Sequence, residues 1–70
     1  MKISARNRLK GKIVESVLGA TTAHVRIDVG GGSIITASIT NEAVNELGLA
    51  AGQEAYAVVK ASDVMVAVDD

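Results

Sequence analysis

Two segments late in the chain, Tyr56-Ala57-Val58-Val59 and Val64-Met65-Val66-Ala67-Val68, carry apolar side chains on both faces of any strand they form. A strand buried on both faces needs cover from two directions, and a chain of 70 residues has little else to cover it with. A domain of this size buries only roughly 60% of its unfolded surface. The usual remedies for so small a core are disulfides, metals or association. Cysteine is absent, which removes disulfides, thiolate metal sites and a cysteine nucleophile together. One face of each segment is therefore assigned to the core and the other to a contact between copies of the chain, so the sequence predicts a homo-oligomer. The length allows one domain, spanning residues 1–70.

Upstream the pattern changes to strict alternation. In residues 20–29, Ala23, Val25, Ile27 and Val29 face one way and Thr22, His24, Arg26 and Asp28 the other, the signature of a half-buried strand. Gly30-Gly31-Gly32 follows and suits a tight reversal. Ser33–Thr40 then resumes the alternation through Ile35, Ala37 and Ile39, completing a hairpin. An earlier strand is expected over Gly11–Val17. A short helix is expected next, capped by Thr40 or Asn41, carrying Ala43, Val44 and Leu47 at helical spacing and closed by Gly48 with Leu49 packed back over its end. Glu54–Lys60 and Val64–Val68 read as two further strands joined through Ala61-Ser62-Asp63. The expectation is an all-β fold, a small five-stranded barrel of the oligonucleotide/oligosaccharide-binding type with one short helix.

Charge is unevenly placed. Residues 1–12 hold Lys2, Arg6, Arg8, Lys10 and Lys12 with no acid, whereas the remainder sets Arg26 and Lys60 against eight acids. Such a split points to an anion site, to a nucleic-acid arm, or to a strand edge protected by lysines. These cations, with Glu15, interrupt every apolar stretch that could serve as a signal peptide, and nothing approaches the ~20 apolar residues of a spanning helix. The chain therefore reads as cytoplasmic, with no membrane partner.

Enzymatic readings find no support. The one histidine, His24, sits mid-strand beside Arg26, and no triad, zinc cluster or carboxylate pair can be assembled. Gly30–Gly32 lacks the Lys-Ser/Thr and the helix of a phosphate loop. Nucleic-acid binding would need stacking aromatics and a basic surface; a single tyrosine and a sequence pI near 5.7 leave it as the weakest alternative. A small oxyanion fits better. Ser4, Arg6 and Asn7 group donors and a fixed charge within four residues, Thr40 and Asn41 place a hydroxyl and an amide at a helix start, and Lys60 ends an apolar strand beside Ser62. Lys60 has the plainer options of reaching solvent or pairing with Asp63. Sequence alone does not bring the three segments together.

Ser4-Ala5-Arg6-Asn7-Arg8-Leu9-Lys10-Gly11 closely resembles the SARNxLxG signature of the Mop domain. Ala57–Val66 resembles that family's closing segment, and Ile39-Thr40 with Leu47-Gly48-Leu49 resembles its helix signature. The resemblance spans essentially the whole chain and is to the single-module form, the molbindins. It implies a non-enzymatic protein that binds molybdate, or tungstate, for storage and homeostasis of molybdenum, with a molybdate-sensing interaction module as the alternative. It also implies a hexamer, a trimer of dimers, with oxyanions held at subunit interfaces and the metal present only as the oxyanion. Carried onto this chain, Ser4 and Arg6 contact the anion and Lys60 adds a second charge. Thr40 and the Ala43 backbone complete the shell, with Asn7 and Ser62 in support. A second site near the three-fold axis would draw on Gly19, Ala20, Thr21 and Thr22. Two positions depart from the pattern: Ala43 stands where serine is frequent, so any contact there is main-chain, and Arg8 stands where glutamine is common. The implied shell offers donors only, as a fully ionised dianion requires. Rejection of sulfate would then rest on cavity size.

Overall fold

A computed structural model describes residues 1–70. The chain runs β1 (Asn7–Leu18), β2 (Thr22–Gly30), β3 (Ser33–Thr40), α1 (Asn41–Leu47) and β4 (Glu54–Val59), then a single 3-10 turn at Ala61–Asp63. The strands form one antiparallel sheet in the order β3-β2-β1-β4.

The hairpin forms as the alternation dictates. Gly30 pairs with Ser33, and Gly31 and Gly32 between them take φ of 62° and 80°, values that side chains rarely adopt. Asp28 Oδ1 accepts from the Gly30 N–H at 2.9 Å and holds the reversal. Ala23, Val25 and Ile27 are buried on the inner face while Thr22, His24 and Asp28 stay exposed. The helix has the expected boundaries: Thr40 Oγ1 accepts from the Ala43 N–H at 3.0 Å, and Gly48 adopts a left-handed φ of 63°. Leu49 returns to the core through its N–H bond to Val44 O at 3.1 Å.

β1 begins four residues earlier than the expected Gly11, because its first half has a partner that local pattern does not reveal. Asn7–Lys12 pairs with Val59–Glu54, and Lys12–Leu18 pairs with Asp28–Ala23. The register shifts between Ile13 and Glu15, a bulge that bends β1 as it passes from one neighbour to the other. The bend is pinned by Gly52 N–H to Ile13 O at 2.8 Å and Ile13 N–H to Gln53 O at 2.9 Å. Gly11 is required here: a Cβ would overlap the Asp28 carbonyl oxygen and lie 2.8 Å from Ile27 Cγ2.

The core is as small as the composition implies, with Ile13, Ala23, Val25, Ile27, Val44 and Ala57 buried and no polar group among them. The expected fifth strand is not formed. The sheet has four strands, and Val64–Val68 continues past the 3-10 turn without entering it. The segment has strand composition, but a strand exists only where its backbone finds a neighbouring ladder, and no strand of this chain pairs with it. Met65, Val66 and Val68 are accordingly 93%, 89% and 87% exposed. The two outer strands β3 and β4 leave between them an apolar cleft of about 630 Å³, lined in part by Ile13, Ile27, Ile35, Ile39 and Ala57. The result is a curled half-barrel, open along one side. No helix is long and apolar enough to cross a membrane.

Candidate functional site

The pairing of Asn7 with Val59 decides where the chemistry collects. It sets the residues just before β1 beside those just after β4, so that Ser4, Ala5, Arg6, Lys60, Ala61 and Ser62 line one cleft of about 450 Å³. The 3-10 turn shapes its floor through Asp63 N–H to Lys60 O at 2.9 Å and Val64 N–H to Ala61 O at 3.3 Å. The Ala61 and Ser62 N–H groups have no backbone acceptor.

The lining consists of a guanidinium, an ammonium, two hydroxyls and backbone, with no carboxylate. Arg6 and Lys60 share this cleft without a counter-charge, since the one ion pair of the chain joins Lys10 and Glu54 elsewhere. Two unneutralised cations on one small cleft repel each other unless an anion lies between them. Each of these side chains can donate and two carry positive charge, which suits a fully ionised oxyanion. No group of three or more His, Asp or Glu side chains is placed to hold a metal ion, and His24 stands on the outer face opposite Ser38.

Four of the seven residues expected in the oxyanion shell thus meet: Ser4, Arg6, Lys60 and Ser62. Asn7 lies at the margin with a structural task, its Nδ2 donating to Val59 O at 3.3 Å and tying β1 to β4. Thr40 and Ala43 do not line this cleft. They sit where β3 enters α1, on the outer strand at the far side of the sheet from β4. The Ala43 N–H, the one main-chain donor expected there, is engaged by Thr40 Oγ1. These two join instead the turn at Gly19–Thr22, closed by Gly19 N–H to Thr22 O at 2.8 Å. Asn41 links the two groups, donating from its backbone to Thr21 O at 3.0 Å and from Nδ2 to Gly19 O at 2.9 Å. Its Oδ1 is buried without a partner. That free atom is an acceptor, the wrong sign for an oxyanion oxygen, and calls for a donor. Ala5 and Ala61 are the lining residues that sequence reasoning missed, because they contribute backbone and carry no chemical signal in their side chains.

A small, open OB-like half-barrel with a cationic, carboxylate-free cleft at the seam of its first and last strands has the chemistry expected of an oxyanion-binding module. Comparison with known proteins gives the family. Residues 3–66 match the model of the TOBE domain, and the chain belongs to that family in its Mop, or molbindin, form. A probable molybdenum-pterin-binding protein of Haemophilus influenzae is 52% identical over 69 residues, covering 99% of this chain and 100% of the relative. A molybdate-binding protein from Sporomusa ovata superposes with a TM-score of 0.90 at 37% identity, covering 97% of this chain and 100% of the other. The cytoplasmic molybdate-binding protein ModG, solved with molybdate bound, superposes with a TM-score of 0.87 at 46% identity, covering 93% of this chain and 46% of ModG.

Proposed function

We propose that this protein binds molybdate, with tungstate as the close analogue, and serves intracellular storage and homeostasis of molybdenum rather than catalysis. The observation that carries the reading is the pair of unneutralised cations, Arg6 and Lys60, on one carboxylate-free cleft with Ser4 and Ser62. In this reading the two side-chain charges balance the dianion, and the hydroxyls with the free N–H groups of Ala61 and Ser62 take its remaining oxygens. The similarity of the whole chain to molybdate-binding proteins supports the choice of ligand.

The cleft is shallow, with Ser4, Arg6, Lys60 and Ser62 all exposed, so one subunit supplies part of a shell. We propose that a second copy supplies the rest, in a cytoplasmic homo-oligomer organised as a hexamer, a trimer of dimers. The exposed apolar tail and the unfilled apolar cleft between β3 and β4 support self-association. In such an assembly Thr40, Ala43 and the Gly19–Thr22 turn become interface groups, available to an oxyanion or to the partner's donors. Calorimetric titration with sodium molybdate tests the site: Arg6→Ala is expected to abolish measurable binding while leaving the native mass unchanged. An Arg6→Ala protein that binds as tightly as the unaltered one overturns the assignment. Metal analysis of the purified protein together with its native mass tests the ligand and the subunit number.

A further inference from the structure

The basic residues outside the cleft are not scattered. Gly11 and Ile13 point into the barrel, so the alternating positions Arg8, Lys10 and Lys12 occupy the outer face of β1, and Arg6 precedes them at the cleft. Across the ladder, Arg8 stands beside Val58, Lys10 beside Tyr56 and Lys12 beside Glu54. Lys12 also faces Asp28 on β2, and Lys10 reaches Glu54 at 3.8 Å with both side chains mostly in solvent. Arg8 has neither an acidic neighbour across the strand nor an ion pair. Positive charge is therefore offset at the far end of the stripe and bare at the end that meets the cleft. Everywhere else the chain is dominated by acids: residues 13–70 carry two Lys or Arg against eight Asp or Glu. A small dianion approaching this surface is repelled from most of it and drawn toward one line.

We propose that Arg8 and Lys10 form an electrostatic guide that draws the oxyanion along the outer face of β1 into the Arg6–Lys60 cleft, without touching it once bound. The inference rests on the cleft being the oxyanion site. Neither residue lines that cleft. At about 3.4 Å of rise per residue, Arg8 and Lys10 lie about 7 Å and 14 Å from Arg6 along the strand. Coulomb attraction to a dianion over those distances in water is modest but adds up at low salt. The Debye length falls from about 30 Å at 0.01 M ionic strength to about 3 Å at 1 M, so the attraction is nearly intact in the first case and nearly gone in the second. Worked through, removing both charges weakens molybdate binding about tenfold at ~0.01 M and by less than about 1.5-fold at ~1 M. A ligand that touches the anion behaves differently, because its loss persists at high salt.

The test is titration of sodium molybdate into the full chain at ionic strengths from ~0.01 M to ~1 M. Three proteins are compared: the unaltered one, R8Q/K10Q and the charge-keeping R8K/K10R. The expected result is a deficit of about tenfold for R8Q/K10Q at low salt, closing at high salt and absent in R8K/K10R. Equal affinity of R8Q/K10Q and the unaltered protein at ~0.01 M overturns the guide, and so does a deficit that stays undiminished at ~1 M. Arg6→Ala, measured alongside, separates the two ideas. Unchanged binding there removes the site and the guide together. Lost binding there with an unaffected R8Q/K10Q removes the guide alone.

Discussion

A charge placed in the exposed tail tests the proposal that this segment joins copies of the chain. Val66 lies in the middle of that segment and is 89% exposed within the subunit. Its side chain therefore contributes almost nothing to the fold of one chain. If the tail is covered by another copy, burial of a valine side chain is worth about 1.5–3 kcal/mol. An aspartate at the same place adds the expense of stripping water from a carboxylate with no partner. Taking about 2 kcal/mol per tail and two tails in a symmetric dimer, Val66→Asp weakens association by roughly 4 kcal/mol, on the order of a thousandfold in the dissociation constant. Sedimentation equilibrium over a range of protein concentrations reads this directly. Ala51→Asp, in the exposed turn before β4, serves as the control that adds the same charge away from the tail. The far-ultraviolet spectrum of Val66→Asp should match the unaltered protein, because the tail lies outside the four-stranded sheet. An oligomer that survives Val66→Asp with unchanged dissociation refutes the idea that the tail is an interface. So does a loss equalled by Ala51→Asp.

Two further outcomes follow from positions where the backbone leaves no slack. Gly11→Ala forces a Cβ against the Asp28 carbonyl and Ile27; urea denaturation should show a loss of about 1–3 kcal/mol, and a neutral result would mean that β1 and β2 separate at no expense. Thr40→Ala removes the acceptor for the Ala43 N–H and should lower stability by about 0.5–2 kcal/mol in the same assay. Molybdate titration of Thr40→Ala adds a second readout: weaker binding at matched stability places Thr40 in a shell completed by another copy, and unchanged affinity confines it to capping.

What could be read in the sequence divides along the range of the interactions. The hairpin was legible because period-two alternation and three consecutive glycines are local signals, and its register follows from them. The helix was legible for the same reason, with an acceptor at Thr40 and a left-handed Gly48 marking its ends. The early start of β1 was not, since it depends on Asn7 meeting Val59, a contact between residues 52 apart in the chain. That contact is also what turns two separate motifs, around Arg6 and Lys60, into one cleft. The fifth strand failed for a related reason: composition at Val64–Val68 favours extended backbone, but a strand forms only by pairing, and the segment joins neither free edge of the sheet, β3 or β4. Thr40 and Ala43 fall outside the cleft because the junction of β3 and α1 lies across the sheet from β4, a placement that a resemblance in sequence does not convey.

The size of the chain and the openness of the site are one physical problem. Six small or medium side chains make up the buried core, too few to enclose a polar cavity and still hold the sheet together. Ser4, Arg6, Lys60 and Ser62 therefore gather on the rim, where the flanks of β1 and β4 emerge, and one wall of the cleft is solvent. This rim favours a fully ionised oxyanion by charge, since two cations and no carboxylate line it. It does not reject sulfate, which presents the same charge and the same acceptors on a smaller frame. Discrimination by size requires a wall that stops the smaller anion from meeting every donor at once, and a cleft open to water has no such wall. On the proposed reading, selectivity for a metal oxyanion is built when a second surface closes the cleft, which would make assembly part of recognition.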